Sequence, residues 1–253
     1  MIKAFFIALG LLTRIPVPKL FHIKENDSEK LYGWSVLFYP LVGLILGGVL
    51  VFVLWCFSLL SLSTNGLIEA AVILSAWVLI TGALHLDGLA DSADAWLGGY
   101  GDQKRTLDIM KDPYSGPAAV VVLVLLLLLK FSTLTLLIID DWVILILSPV
   151  LARTAVMLLL ATTPYVRQGG MGESAVKQLP KIAVWFVSLF ILGVSVFLLK
   201  EKSWGLLILI AIAYFLRRLM LKRIEGTTGD TAGAMLEVME VSVLLVFILL
   251  NSV

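Results

Sequence analysis

Three aspartates stand at spacings of four and three residues in His85-Leu86-Asp87-Gly88-Leu89-Ala90-Asp91-Ser92-Ala93-Asp94. On a helix, at about 100° per residue, Asp87, Asp91 and Asp94 fall within roughly 60° of one another. Three like charges on one stripe repel, and Asp is a weak helix former, so a plain solvated helix end suits the pattern poorly. A cation among them removes the repulsion, and carboxylates with substrate phosphates are the usual ligands of Mg²⁺. The stretch reads as a metal site of Asp87, Asp91 and Asp94. His85 points elsewhere on the helix, as a substrate contact or an interfacial polar residue.

Other polar stretches could join this chemistry. Arg105, Asp108 and Asp112 share a helix face, which alone reads as a surface helix with internal salt bridges, broken at Pro113 and Gly116. Gly226-Thr227-Thr228-Gly229-Asp230 opens a helix, and backbone N–H groups at a helix start can hold phosphate. Asp230 and Glu237 are seven residues apart and fall on one face. Glu237 and Glu240 lie inside an apolar run, where each costs about 2.5–3.5 kcal/mol near a span centre. Arg153, within another apolar run, wants either a structural carboxylate or a substrate phosphate. Pro164 to Glu173 forms a glycine loop with one Arg, Arg167, suited to an anion or to plain connection. Arg217, Arg218, Lys222 and Arg223 suit topology and lipid headgroups.

These residues must be positioned by an oily scaffold. Hydrophobic residues make up 60% of 253, and the mean hydropathy of +1.03 lies far above that of a soluble domain. Spans are expected at 36–62, 66–84, 117–139, 142–163, 182–199, 204–221 and 234–250, each near the roughly 20 residues a bilayer crossing needs. The predicted fold class is all-α, a polytopic transmembrane bundle of about seven spans in one integral membrane domain, 1–253. Ala4–Leu12 is too short to span and reads as an interfacial or re-entrant segment rather than a signal peptide.

Lys and Arg gather at 3–30, 104–111, 167–181 and 217–223, while the alternate connections hold only Lys200 and Lys202. The positive-inside rule puts the first group, and the N-terminus, in the cytoplasm. The polar segments 85–116, 164–181 and 222–240 then share the cytoplasmic face. A net charge of +1 carries no signal for nucleic acid. The lone Cys56 excludes an intrachain disulfide.

Leu12-Thr13-Arg14-Ile15-Pro16-Val17-Pro18, Pro40-Leu41-Val42-Gly43, Thr81 to Asp94, Ile109-Met110-Lys111-Asp112 and Thr228 to Ala234 occur in that order. Together they resemble the cobalamin synthase family, the adenosylcobinamide-GDP ribazoletransferases, from about residue 5 to 240. The resemblance implies a membrane-bound, Mg²⁺-dependent enzyme. It would join adenosylcobinamide-GDP to α-ribazole, or its 5′-phosphate, and release GMP. The family pattern after Met-Lys-Asp runs Ser-Arg-hydrophobic-Gly. Here Pro113-Tyr114-Ser115-Gly116 lacks the arginine, leaving Lys111, Arg105 and Arg153 as candidate replacements.

The expected catalytic set is Asp87, Asp91, Asp94, Asp230 and Glu237. The expected substrate-binding set is His85, Arg105, Lys111, Asp112, Arg153, Arg167 and Thr228. Asp94, Asp230 and Glu237 are the candidate general bases. The expected location is the inner membrane. Oligomeric state cannot be read, homo-oligomers being common for such small bundles. Two rivals follow from the same residues: an ion-coupled transporter using intramembrane acids and Arg153, and an alcohol phosphotransferase acting on CDP-lipids, whose acidic motif is similar.

Overall fold

A computed structural model describes residues 1–17, 28–59, 66–136, 142–167 and 171–251. Gly169 and Gly170 of the glycine loop, Pro18, and the C-terminal ends of the spans expected at 36–62 and 117–139 lie outside the described residues. In chain order the helices are α1 (Ile2–Leu12), α2 (Ser28–Ser35), α3 (Tyr39–Leu59), α4 (Leu67–Thr81), α5 (Leu84–Gly98) and α6 (Gln103–Ile109). They continue as α7 (Pro117–Thr135), α8 (Trp142–Thr162), α9 (Met171–Lys177), α10 (Lys181–Leu199), α11 (Gly205–Ile224) and α12 (Gly229–Asn251). Among the described residues the only β pairing is a single bridge between Tyr165 and Thr227. The chain is a helical membrane bundle, as its hydropathy requires.

Five segments are long and apolar enough to cross a bilayer: 29–59, 117–135, 142–162, 181–224 and 229–250. The pair α4–α5, bent by 86°, adds a sixth if the two are counted as one broken span. Segment 181–224 contains two helices. Trp185 of α10 and Tyr214 of α11 line one cavity, although a straight helix would hold them about 44 Å apart. The chain therefore reverses in the 3₁₀ turn Lys200–Trp204.

Helix α8 is the hub, with 83% of its apolar window buried, against 67% for α12, 28% for α7 and 22% for segment 181–224. A helix apolar all round belongs in the middle of such a bundle. Gly43 and Gly47 let α3 touch it: Cβ atoms there would stand 2.5 Å from the Pro149 carbonyl oxygen and 2.7 Å from Ile146 Cα. This is the small-xxx-small packing of membrane helices.

The core also encloses charge. Lys130 Nζ of α7 binds Glu237 at 2.7 Å and Glu240 at 2.6 Å, and Arg153 of α8 binds Glu240 at 2.8 Å. All four side chains are at most 4% exposed. Two cations balance two anions, which is how a low-dielectric interior tolerates them. The Lys130 ammonium also lies 4.7 Å from the Trp77 ring centroid.

The expected span 66–84 holds helix α4 and the bend that follows it. Helix α4 stops at Thr81 after 15 residues, about 22 Å of rise and less than the ~30 Å hydrocarbon core. Gly82 and Ala83 are left-handed (φ 62° and 56°), and α5 leaves at 86° to α4.

Candidate active site

The bend at Gly82-Ala83 delivers the acidic helix. The Gly82 N–H donates to the Leu79 carbonyl at 3.2 Å and the Ala83 N–H to that of Val78 at 3.1 Å. These are the two bonds of a Schellman cap. The Arg14 N–H donates to the Ile80 carbonyl at 2.7 Å. The Arg14 side chain lies where a Cβ on residue 82 would sit. Gly82 is required there twice over, by its φ and by this contact.

Beyond the bend, α5 buries Leu86, Gly88, Leu89, Ser92 and Ala95, exposes Asp87 and leaves Asp91 and Asp94 half-buried. Its glycine face meets the start of α12. A Cβ on Gly88 would stand 2.7 Å from the Asp230 carbonyl oxygen, and one on Gly233 would stand 3.3 Å from His85 Cα. This close crossing brings the α5 carboxylates to Asp230. Burial and the neighbouring Asp87 and Asp230 push the Asp91 carboxyl up to about 6, with Asp94 adding to the effect and Arg167 opposing it. The carboxylates repel one another as they approach.

Asp94 has a second task. Its carboxylate oxygens accept the N–H groups of Gly116 and Ala119, capping α7 from another helix.

The opposite wall is built by two loops. The Thr227 N–H donates to the Pro164 carbonyl at 2.8 Å, and the Val166 N–H to that of Thr227 at 3.0 Å. This pairing sets Arg167 Nη1 at 2.9 Å from Asp230 Oδ2. Thr228 and Thr231 form a reciprocal cap at the start of α12. The Thr231 N–H donates to Thr228 Oγ1 at 3.2 Å, and the Thr228 N–H to Thr231 Oγ1 at 2.9 Å. The Thr228 hydroxyl also reaches Met110 Sδ at 3.9 Å. Between these groups lies a cavity of about 290 Å³ lined by Leu107, Met110, Lys111, Val166, Arg167, Thr228 and Asp230.

The structure thus gathers Asp87, Asp91, Asp230, Lys111, Arg167 and Thr228 of the expected residues. Arg105 and Asp112 line a separate cavity with Asp108, but α6 ends at Ile109, so Asp112 lies past the helix face their spacing describes. Arg153 is fully buried against Glu240, the structural of its two readings. Glu237 is paired with Lys130 in the core rather than turned to the cavity. His85 is buried under α12, and its Nδ1 has no hydrogen-bond partner among the described residues. Spacing missed Lys130, although a lone charge in the leucine-rich α7 is itself a signal of a buried partner.

Among the described residues no three His, Cys, Asp or Glu side chains form a ready-made metal cage. The donor set still fits a hard divalent ion. Asp87 and Asp91 are oxygen donors on one face beside Asp230, and Mg²⁺ takes one or two protein carboxylates and completes its shell with water and phosphate.

Fold and site define an integral membrane protein with a carboxylate face beside a cavity bearing a lysine and an arginine, suited to phosphorylated substrates. A profile of the cobalamin-5-phosphate synthase family matches residues 4–248. The chain is 48% identical to an adenosylcobinamide-GDP ribazoletransferase of Pseudomonas putida GB-1 over 249 residues, covering 95% of this chain and 96% of the relative. It is 50% identical over 244 residues to one of Ectopseudomonas mendocina ymp, covering 94% and 96%. No solved structure matches. The chain belongs to the cobalamin-5-phosphate synthase family.

Proposed function

We propose that this protein joins adenosylcobinamide-GDP to α-ribazole, or to α-ribazole 5′-phosphate, releasing GMP. It would act from the cytoplasmic face of a bilayer crossed seven times, the bacterial inner membrane. The observation that carries the reading is the meeting of Asp87, Asp91 and Asp230 beside the Lys111–Arg167 cavity, in a chain aligned along nearly its whole length with ribazoletransferases.

Asp87 and Asp91, with Asp94 completing the stripe, would hold Mg²⁺; when bound it neutralises diphosphate oxygens and eases departure of the nucleotide. Lys111 and Arg167 bind the phosphates from the other wall, Arg167 with a planar fork matched to them. The ribose 3′-hydroxyl of α-ribazole attacks the phosphorus nearer the cobinamide. A new O–P bond forms, the bond to GMP breaks, and the hydroxyl proton passes to a carboxylate. Asp230, although its Oδ2 pairs with Arg167, is the one of the three candidate bases that lines the cavity. Asp94 is committed to two backbone N–H groups, and Glu237 to Lys130. The same ion pairs supply partners for the intramembrane acids on which the transporter rival depends.

Asp91→Asn in purified, bilayer-embedded enzyme tests the reading. GMP release at saturating Mg²⁺ should fall about 100-fold or more, a loss of several kcal/mol of transition-state stabilisation. Unchanged release would overturn the carboxylate site.

A further inference from the structure

A second cavity, of about 360 Å³, lies away from the acidic face among α8, α10, α11 and α12. Its walls are apolar stripes at helical spacing. Leu151, Ala155, Leu158 and Leu159 come from α8, Leu206, Leu209, Ile210 and Ala213 from α11, and Met235 and Met239 from α12. The two threonines in the α8 wall offer it no hydroxyl: Thr154 and Thr162 donate to the carbonyls of Val150 and Leu158 at 2.8 Å, within their own helix. Trp185 and Tyr214 stand on its rim, 51% and 59% exposed, so the cavity is a groove open toward the membrane.

Among the residues lining the groove, the one charged side chain is at its Thr163 end. Arg217 lies there, its Nε 3.0 Å from Thr163 Oγ1 and its Nη2 2.6 Å from the Thr162 carbonyl. Arg218 is exposed beside it, and Lys222 one turn further on is exposed too. Helix α11 contains no acidic residue. The polar end faces the same side of the bundle as the acidic site, because Thr163 leads directly into the Pro164–Arg167 segment bridged to Thr227. The lining on α8 runs from Leu151 to Thr162 and that on α11 from Leu206 to Arg217. Each stripe is about 16 Å long at 1.5 Å per residue.

We propose that this groove is a binding site for an anionic phospholipid of the leaflet on the acidic-site side. One acyl chain lies along α8 and α11, and its phosphate sits at Arg217 and Arg218. The cationic end selects an anionic headgroup, each basic side chain near a membrane surface contributing about fivefold in affinity. The site is independent of the transfer chemistry.

Native mass spectrometry of the full chain released from nanodiscs tests it, with phosphatidylglycerol or phosphatidylcholine as the only lipid. The wild-type protein should retain one phosphatidylglycerol and lose phosphatidylcholine. Arg218→Gln should weaken phosphatidylglycerol retention about fivefold. Ala213→Trp should fill the groove and abolish the adduct; Ala155→Phe, on the facing wall, serves if that variant does not fold. Equal retention of the two lipids, or an undiminished adduct in a folded groove-filling variant, would overturn the proposal. A lipid-free dimer would do so in favour of a second copy of this chain as the occupant.

Discussion

Lys130 serves two carboxylates at once, and Glu240 is shared between Lys130 and Arg153. Removing one member leaves a buried charge without its partner, which costs about 3–5 kcal/mol. Lys130→Met should therefore lower thermal stability in detergent by that order. The double variant Lys130→Met/Glu237→Gln should recover part of the loss, because the remaining Glu240–Arg153 pair is neutral. A single variant as stable as the double would contradict the pairing. These contacts join residues 107, 110 and 87 positions apart. Such separations leave no periodic trace, so sequence shows that Glu237, Glu240 and Arg153 need partners but not which. Asp87, Asp91 and Asp94 are different: their pattern is local, and one helical period suffices to read it.

At the scale of elements, α5 is held at both ends. The Schellman cap and Arg14 fix its start. Beyond its far end, Arg223 of α11 donates to the Trp96 carbonyl, and Gln103 of α6 donates to that of Ile224 at 2.9 Å. Its middle is set by the Gly88–Asp230 approach. Gly88→Val should push α5 from α12 and part Asp91 from Asp230. GMP formation should fall about 100-fold, the cost of a misplacement near 1 Å, while overpacking lowers stability by about 1–3 kcal/mol. A variant with wild-type turnover would show that this crossing does not set the site. Hydropathy overran α4 because an apolar window does not sense left-handed backbone. Gly82 is the local cue, and Arg14, distant in sequence, completes the bend.

At the scale of the whole molecule, two buried helices, α8 and α12, carry the core, and α7, α10 and α11 turn largely apolar surface outward. The alternation of basic and poorly basic connections predicts the sidedness of this bundle. In a Cys56→Ser background, Lys202→Cys should react with an impermeant maleimide added outside intact spheroplasts. Lys104→Cys should react only after lysis. The reverse pattern would place the acidic face outside. The bundle brings carboxylates from α5 and α12 together at one rim, where a divalent ion and a diphosphate would meet. Calorimetric titration of Mg²⁺ into nanodisc-embedded protein, with GDP present, tests this most directly. Saturable binding in the wild type that disappears in Asp87→Asn/Asp91→Asn is the predicted result. No saturable binding in the wild type, or the same binding in the double variant, would contradict it.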